Sequence, residues 1–253
     1  MLSSILSQKK TAPKVVPLYK KWAFKAVAIF VLALGITFAM KVFVSQTETA
    51  DFGKKTAFSL PDNSEVVLNS GSEIQYKKWN WSTERKLNLE GEAFFKVAKG
   101  KKFEVATDLG KVTVLGTQFN VKSRNKRIDV TCFEGRVKVN YNLEEVILTK
   151  GMTVAFEDGK KIAISNPTSS QPTWLSNEIS FSKEKLSTIL EEISRQYDIT
   201  VECKENPSNQ DFSGTIPMDN LAVALEIITN TYHLKPVDSK INDKKIILES
   251  LND

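Results

Sequence analysis

Three patterns of hydrophobic and polar positions follow one another along the chain. Residues 22–44 are apolar on all sides of a helix, WAFKAVAIFVLALGITFAMKVFV. Residues 56–164 alternate between apolar and polar positions in short segments about ten residues apart, which is typical of half-buried strands. Residues 174–253 combine such segments with apolar positions that repeat every three or four residues, which is typical of helices. The pattern therefore predicts one helix, an antiparallel all-β domain and a small α+β domain.

The apolar helix is predicted to be a transmembrane helix. It has no polar stripe that would suit a buried core helix, and about fifteen residues without a charge separate Lys25 from Lys41. That stretch covers roughly 22 Å, so crossing a core of ~30 Å requires the flanking turns and lysines that reach the interface. A cleaved signal peptide is the alternative, but cuts after Ala39 or Ala50 have poor recognition residues.

Five lysines before the helix and no acidic residue among them predict the orientation of the chain. By the positive-inside rule, the tail of residues 1–21 is cytoplasmic and the domains after the helix are exported. The chain is predicted to cross the membrane once. The polar residues 45–55 are predicted to be a linker, and so are residues 165–173, SNPTSSQPT, which mark a domain boundary.

Turn residues divide the predicted strands and helices. Residues 99–101 and 157–160 are predicted to be hairpin turns, and Gly91 and Gly135 to permit a turn or bulge between strands. In the C-terminal part, the order β-α-β-β-α-β is predicted, with or without a further strand. Its helices are predicted to cover residues 183–197, with Ser182 as the N-cap, and residues 220–232, with Asp219 as the N-cap.

Charge and chemistry exclude several classes of function. The net charge of +5 comes from seven lysines in residues 1–44; without them 28 basic face 30 acidic residues, so nothing favours nucleic acid. One histidine, His233, and two distant cysteines cannot assemble a usual zinc site or a catalytic triad. No phosphate-binding loop occurs. Paired carboxylates such as Glu90 and Glu92 are expected to be solvated, so neither an enzyme nor a cofactor is predicted.

Ordered motifs cover about a hundred residues of the β region. They read L-x-G-E-A-x-F-x-V, V-L-G-T-x-F-N-V, v-x-x-G-x-V-x-V and L-x-x-G-x-x. An opening segment, LPDNSEVVLNSGSEIQY, precedes them and also fits, through Leu60, Pro61, Asp62, Val67, Leu68, Asn69 and Ser72. The motifs are carried by Leu89, Gly91, Glu92, Ala93, Phe95, Val97, Val114, Leu115, Gly116, Thr117, Phe119, Asn120, Val121, Gly135, Val137, Val139, Leu148 and Gly151. In these residues the chain closely resembles the FecR family of sigma-factor regulators.

The C-terminal part resembles the domain that follows the FecR region in Bacteroidetes members, related to the N-terminal module of secretins and TonB-dependent receptors. The match is carried by Leu186, Leu190, Tyr197, Phe212, Ser213, Gly214 and Leu225. The resemblance implies an inner-membrane signal transducer. In the family, an outer-membrane TonB-dependent receptor signals to the periplasmic part, and a cytoplasmic anti-sigma segment controls an extracytoplasmic-function (ECF) sigma factor.

The chain departs from the family pattern before the helix, where only about twenty-one residues stand in place of several tens. The anti-sigma region is therefore expected to be missing or truncated, which puts sigma-factor binding in doubt. An alternative function is that of a membrane-anchored periplasmic assembly module of an envelope or secretion complex.

Two sets of site residues are predicted. Some FecR-like proteins cleave themselves at a Gly-Thr bond, and Gly116-Thr117 is the corresponding bond here; the alternative is a glycine bulge before a strand threonine. For partner binding, strand addition to a sheet edge of the α+β domain is predicted to involve residues 210–216, with Phe212, Ser213, Gly214 and Ile216 as the contributors. Phe212 and Ile216 could equally belong to the core.

Overall fold

The computed structural model describes residues 18–43, 45–204, 210–240 and 244–251. The chain divides into two units, Met1–Val44 and Ser45–Asp253. Most of the predicted tail of residues 1–21 lies outside the described residues. Each unit is considered by itself below.

The first unit contains one helix, α1, at Leu18–Phe43. Its apolar side chains between Trp22 and Phe38 are exposed. Within the described part of the chain, no helix combines the length and the mean hydropathy that crossing a membrane requires. The predicted membrane span at residues 22–44 is therefore wrong. The apolar run without a polar stripe that gave this prediction does not by itself establish a span.

The second unit begins with a strand where the sequence predicts a linker. Strand β1, Gln46–Ala50, pairs antiparallel with β4, Ser72–Tyr76. The prediction of a linker over residues 45–55 is wrong for this segment. The sequence QTETA has no apolar alternation because only Ala50 is buried in this edge strand.

Thirteen strands form the all-β body, which is defined here as residues 46–162. Besides β1 and β4, they are β2 Thr56–Ser59, β3 Glu65–Leu68, β5 Arg85–Lys96, β6 Phe103–Ala106, β7 Lys111–Val114, β8 Gln118–Arg124, β9 Arg127–Glu134, β10 Arg136–Tyr141, β11 Glu144–Thr149, β12 Met152–Glu157 and β13 Lys160–Ile162. The main path through the sheet is β11-β10-β7-β6-β5-β8-β9-β12-β13. All these pairs are antiparallel except β5–β6, which is parallel. The predicted hairpin turn at residues 99–101 is therefore wrong, since it connects two parallel strands.

Strand β5 belongs to both halves of the sheet. Its first half pairs with β4 and β6, and its second half pairs with β3 and β8. Gly91 lies where the pairing changes, with φ +98°, and a Cβ there would stand 2.5 Å from the Ser72 hydroxyl oxygen. Only glycine fits so close an approach. The glycine thus sits inside a strand, and not between two strands as predicted.

A continuous apolar core fills the all-β body. Phe95 and Phe119 stack with ring centroids 4.9 Å apart, and Phe103 meets Phe95 edge-on at 6.1 Å. All three side chains are fully buried. The period-two pattern of the strands places these rings on one face of the sheet, where burying apolar surface stabilises the fold.

The α+β domain, defined here as residues 173–250, follows a segment without regular structure at residues 163–172. Its elements are a 3₁₀ turn Thr173–Ser176, β14 Glu178–Glu184, α2 Leu186–Tyr197, β15 Thr200–Cys203, β16 Phe212–Pro217, α3 Leu221–Tyr232, β17 Leu234–Lys240 and β18 Lys245–Ser250. Strands β14 and β16 form one small sheet, and β15-β18-β17 form another. The order of elements is the predicted one with the further strand.

The two helices start later than predicted and with different caps. Lys185, and not Ser182, is the N-cap of α2, because Ser182 is part of β14. Asn220, and not Asp219, caps α3, where its side chain accepts a hydrogen bond from the Val223 amide. Both helices bury the apolar stripe that predicted them, including Ile193 and Ile228, which are fully buried.

Candidate functional site: the seam between the two domains

Three polar residues from separate motifs meet on the all-β body. Glu92 on β5 accepts hydrogen bonds from the side-chain amides of Asn69, at 2.9 Å, and Asn120, at 2.8 Å. All three are buried. Asn69 directly follows β3. Strands β5 and β8 place Glu92 and Asn120 on the face of the sheet opposite the apolar core, because these residues alternate with core residues such as Ala93 and Val121. These residues therefore lie on the outer face of the sheet, which the α+β domain covers.

The α+β domain covers this face with two side chains. Trp174 donates from its indole nitrogen to Asn120 at 3.2 Å, and Gln196 of α2 donates to Asn69 at 3.1 Å. The Trp174 ring packs in an apolar cluster with Phe94 and Phe133. The three motif residues thus serve as a docking platform, since each amide has one end on Glu92 and the other end on the α+β domain.

Charged side chains extend the contact on one side. Arg127 of β9 pairs with Asp129, at 3.0 Å, and with Glu184 of β14, at 3.3 Å. Lys122 of β8 lies 3.6 Å from the same Glu184. Arg127 also donates to the main-chain carbonyls of Ser182, at 3.0 Å, and Lys183, at 3.2 Å.

A second charged group lies beside Gln196. Glu192 accepts from Gln196 at 2.7 Å and from Arg195 at 2.8 Å. On the all-β body, Arg124 donates to the Ser70 carbonyl at 2.7 Å. We call the whole contact the domain seam, formed by Asn69, Glu92, Asn120, Lys122, Arg124 and Arg127 on the all-β body and by Trp174, Glu184, Glu192 and Gln196 on the α+β domain.

Burial and opposite charges compete in setting the pKa values in the domain seam. Burial alone would raise the pKa of Glu192, but Arg124 and two further cations outweigh it and lower the pKa to about 2. Burial would lower the pKa of Lys122, but Glu184 and other carboxylates outweigh it and raise the pKa. For Glu184, burial dominates and raises the pKa despite Lys122 and Arg127. Glu192 therefore stabilises the seam as an anion far below neutral pH.

A cleft of about 320 Å³ lies along the seam beneath residues 164–169. Among the charged side chains in its wall, Lys122, Arg127, Glu184 and Asp129 pair with one another, and Glu92 accepts from Asn69 and Asn120. Its remaining wall includes Trp174, Thr131, Thr153, Ser180 and Ser213. The size is that of a small-ligand site. Among the residues that the structure describes, no group of three or more His, Cys, Asp or Glu side chains is placed to hold a metal ion.

The predicted cleavage bond lies away from the seam. A Cβ at Gly116 would stand 2.8 Å from the Lys99 Cα, which accounts for glycine at this position. The hydroxyl of the buried Thr117 donates to the Arg136 carbonyl at 3.2 Å. A cleft of about 240 Å³ adjoins the bond and is bordered by Glu134 and Lys99. Cleavage at Gly116-Thr117 stays a prediction.

The predicted partner-binding residues all lie on β16, but they differ in burial. Ile216 is fully buried in the core of the α+β domain, and Phe212 is half-buried against Phe181 with ring centroids 5.9 Å apart. Ser213 is exposed and lines the seam cleft, and Gly214 is half-buried. A Cβ at Gly214 would meet the Phe212 ring at 2.8 Å. The main chain and the polar side chains of this strand are accessible to a partner, whereas Ile216 is not and Phe212 is only partly accessible.

The seam residues were missed in the sequence because charged residues in strands usually face solvent. One signal of the seam is present in the sequence of α2, where Glu192 and Gln196 are four residues apart and lie next to the apolar stripe. On the strands, Lys122 and Arg127 alternate with core residues. The same alternation is expected of a strand whose outer face is exposed to solvent, so it does not indicate a covered face.

The fold and the seam define a class of protein in which an all-β body carries a small α+β domain on a buried polar contact. Two family models match its two parts, FecR protein over residues 46–138 and FecR, C-terminal over residues 178–248. Together they cover more than half of the chain, which therefore belongs to the FecR family.

Solved structures share the fold. Two crystal structures of a "putative anti-sigma factor" from Parabacteroides distasonis ATCC 8503 superpose with a TM-score of 0.73 each. Their sequence identities to this chain are 23% and 22%, and the matches cover 83% and 82% of this chain and 100% of the neighbours. A search of curated proteins finds no match to this sequence.

Proposed function

We propose that the chain relays a signal from an outer-membrane TonB-dependent receptor to an ECF sigma factor. Membership of the FecR family supports an anti-sigma function, and the family match spans both domains of the second unit. The receptor's periplasmic signalling module would bind the α+β domain. The observation that carries this step is an accessible strand edge on β16.

The pairing of β14 with β16 indicates which main-chain groups of that edge are available. The Met218 amide donates to the Asn177 carbonyl at 2.9 Å, which marks a hydrogen-bonded pair of the antiparallel ladder. Such pairs alternate, so Ile216 and Gly214 also bond to β14, whereas Thr215 and Ser213 direct their main-chain groups outward. Both residues are exposed. Among the described residues, β16 pairs with β14 alone.

Strand addition at this edge would use main-chain hydrogen bonds for affinity and neighbouring side chains for selectivity. The edge is short, because the Pro217 carbonyl already accepts a hydrogen bond from the Tyr197 hydroxyl at 2.8 Å. Thr215 is therefore the centre of the proposed contact. Of the predicted partner-binding residues, Ser213 contributes directly, while Ile216 supports the strand from the core.

The test is binding of the signalling module from the receptor encoded nearest this chain's gene. Thr215→Pro removes the outward amide at a position that does not bond to β14, so the fold tolerates it. We expect binding to weaken about tenfold in a biolayer assay, and Thr215→Val, which keeps the amide and the branched shape, to bind as wild type. Equal binding by the proline variant would exclude this edge.

The sigma factor and the compartment need separate tests. Co-purification of the full chain with the ECF sigma factor encoded beside it tests the partner; loss of that co-purification when the chain starts at Gln46 would locate the contact in the first unit. Export of the second unit stays a prediction, which a reporter enzyme active only outside the cytoplasm, fused after Ser250, would test.

A further inference from the structure

Strand β14 contacts both domains at an irregular point. Its register with β16 shifts between Phe181 and Glu184, which marks a β-bulge. Lys183 in this bulge has φ +53°, in the left-handed region that residues other than glycine rarely adopt. Such a conformation costs energy and persists only when surrounding contacts hold it. The contacts of Lys183 therefore decide whether the bulge keeps its shape.

Those contacts come from opposite sides. The Lys183 amide donates to the hydroxyl oxygen of Ser213 on β16 at 2.9 Å. The Lys183 carbonyl accepts from Arg127 of the all-β body at 3.2 Å. One peptide segment thus links the accessible strand of the α+β domain to a buried arginine of the other domain.

The next residue strengthens the link. Glu184 follows the bulge and is buried between Lys122 and Arg127, at 3.6 and 3.3 Å. The geometry of the bulge places the Glu184 carboxylate, because a shift of one residue in a strand would turn this side chain to the opposite face. A change at Lys183 would therefore alter a buried ion pair.

We propose that the bulge at Lys183 couples the outer edge of β16 to the all-β body. A partner strand bound to the main chain of Ser213 and Thr215 fixes the backbone of Ser213 and hence the hydroxyl that holds the Lys183 amide. The Lys183 carbonyl accepts a hydrogen bond from Arg127, so a movement of the Lys183 peptide changes the position of the Arg127 side chain. The identity of the partner rests on the proposed function, but the coupling between Ser213 and Arg127 is a property of this chain alone. Ser213 is accordingly a positioning residue.

The experiment measures both ends of the link in the full chain by NMR. Ser213→Ala removes the hydroxyl acceptor, so we expect hydrogen exchange of the Lys183 amide to rise about fivefold. We also expect the side-chain Nε–H of Arg127, which the structure bonds to Asp129 at 3.0 Å, to shift its resonance and to exchange faster. Ser213→Thr, which keeps a hydroxyl, is expected to restore both readouts.

A matched control separates coupling from general loosening. Ser180 lies in the same small sheet, three residues before Lys183, and bonds to Thr215 through hydroxyls 3.2 Å apart. Ser180→Ala should leave the Arg127 resonance unchanged. A response of the Lys183 amide in Ser213→Ala without any response of Arg127 would overturn the proposal, and so would an equal Arg127 response in Ser180→Ala.

Adding the receptor module distinguishes this proposal from the proposed function. If the module does not bind but Ser213→Ala still moves Arg127, the partner is wrong and the coupling stands. If the module binds wild type and leaves Arg127 unchanged, the coupling is overturned and the docking stands.

Discussion

The core of the all-β body and the domain seam are both buried, but they consist of different kinds of side chain. The core is a continuous set of aliphatic and aromatic side chains, such as the stacked pair Phe95 and Phe119. The seam consists largely of amides, carboxylates and guanidinium groups that bond to one another across two domains. Burial alone therefore does not show what a region does.

The difference lies in how each region specifies geometry. Apolar burial is non-directional and roughly proportional to area, so the core stabilises the fold while tolerating small rearrangements. Hydrogen bonds and buried ion pairs depend strongly on distance and angle, and an unpaired member is costly. The seam therefore fixes one orientation of the α+β domain on the all-β body.

The largest expected effect is in the core. Phe95→Ala removes a fully buried ring that contacts Phe103 and Phe119, so we expect the free energy of unfolding to fall by about 3–5 kcal/mol in urea titrations. Leu143→Ala is the matched control because Leu143 is fully exposed and should change little. Similar losses in both variants would contradict the assignment of this core.

The next largest effect is in the seam. Glu192→Gln leaves Arg124 and Arg195 without their buried carboxylate, so we expect a loss of about 3 kcal/mol at pH 7. The folded-state pKa is about 2, below the ordinary value of 4.5, so this stability is present above pH 4.5 and is lost as the pH falls towards 2. The gap between wild type and variant should therefore close between pH 5 and pH 2. A gap that stays constant over this range would refute the depressed pKa.

A smaller effect is expected at the docking platform. Asn120→Ala removes one of the two amide donors to the Glu92 carboxylate and leaves the Trp174 indole without its acceptor, so we expect a loss of about 1–3 kcal/mol. A change in tryptophan fluorescence should accompany it. Asn88→Ala, at an exposed position of β5, is the control and should remain within about 0.5 kcal/mol of wild type.

The smallest effect sharpens the contrast between buried and exposed ion pairs. Lys54 and Asp51 are 3.0 Å apart, but both side chains are 70% exposed. Lys54→Met should change the free energy of unfolding by less than about 0.5 kcal/mol, because solvent screens such a pair. A loss as large as that of Glu192→Gln would mean that burial does not separate the two kinds of pair.

Much of the fold could be predicted from the regular spacing of apolar residues in strands and helices. Strand β10 alternates buried and less buried positions, as its sequence RVKVNY indicates. The apolar stripe of α2 predicted the helix and its last residue, Tyr197, but not its first. The same reasoning failed for β1, whose edge position needs no apolar face. It also failed for the parallel pair β5–β6, since a glycine-containing connection does not reveal the direction of the next strand.

The site was less predictable than the fold. Family motifs pointed to Glu92 and Asn120 without showing their purpose, which depends on Trp174, a residue 54 positions from Asn120. The cations of the seam were indistinguishable from surface residues, because the covering domain lies far along the chain. The membrane span was predicted from an apolar helix without a polar stripe, and this pattern alone was not sufficient.

Strand β1 gives the second unit a mechanically weak starting point. Its five residues are held by the ladder to β4, beginning with the pair Gln46 and Tyr76. A force that pulls Ser45 away from β4 would break the hydrogen bonds of these pairs one after another. We therefore expect β1 to separate from β4 at low force. Just beyond it, the Gly53 amide donates to the Arg195 carbonyl of α2 at 2.8 Å. A pull on the start of this unit would therefore reach the α+β domain after only a few residues.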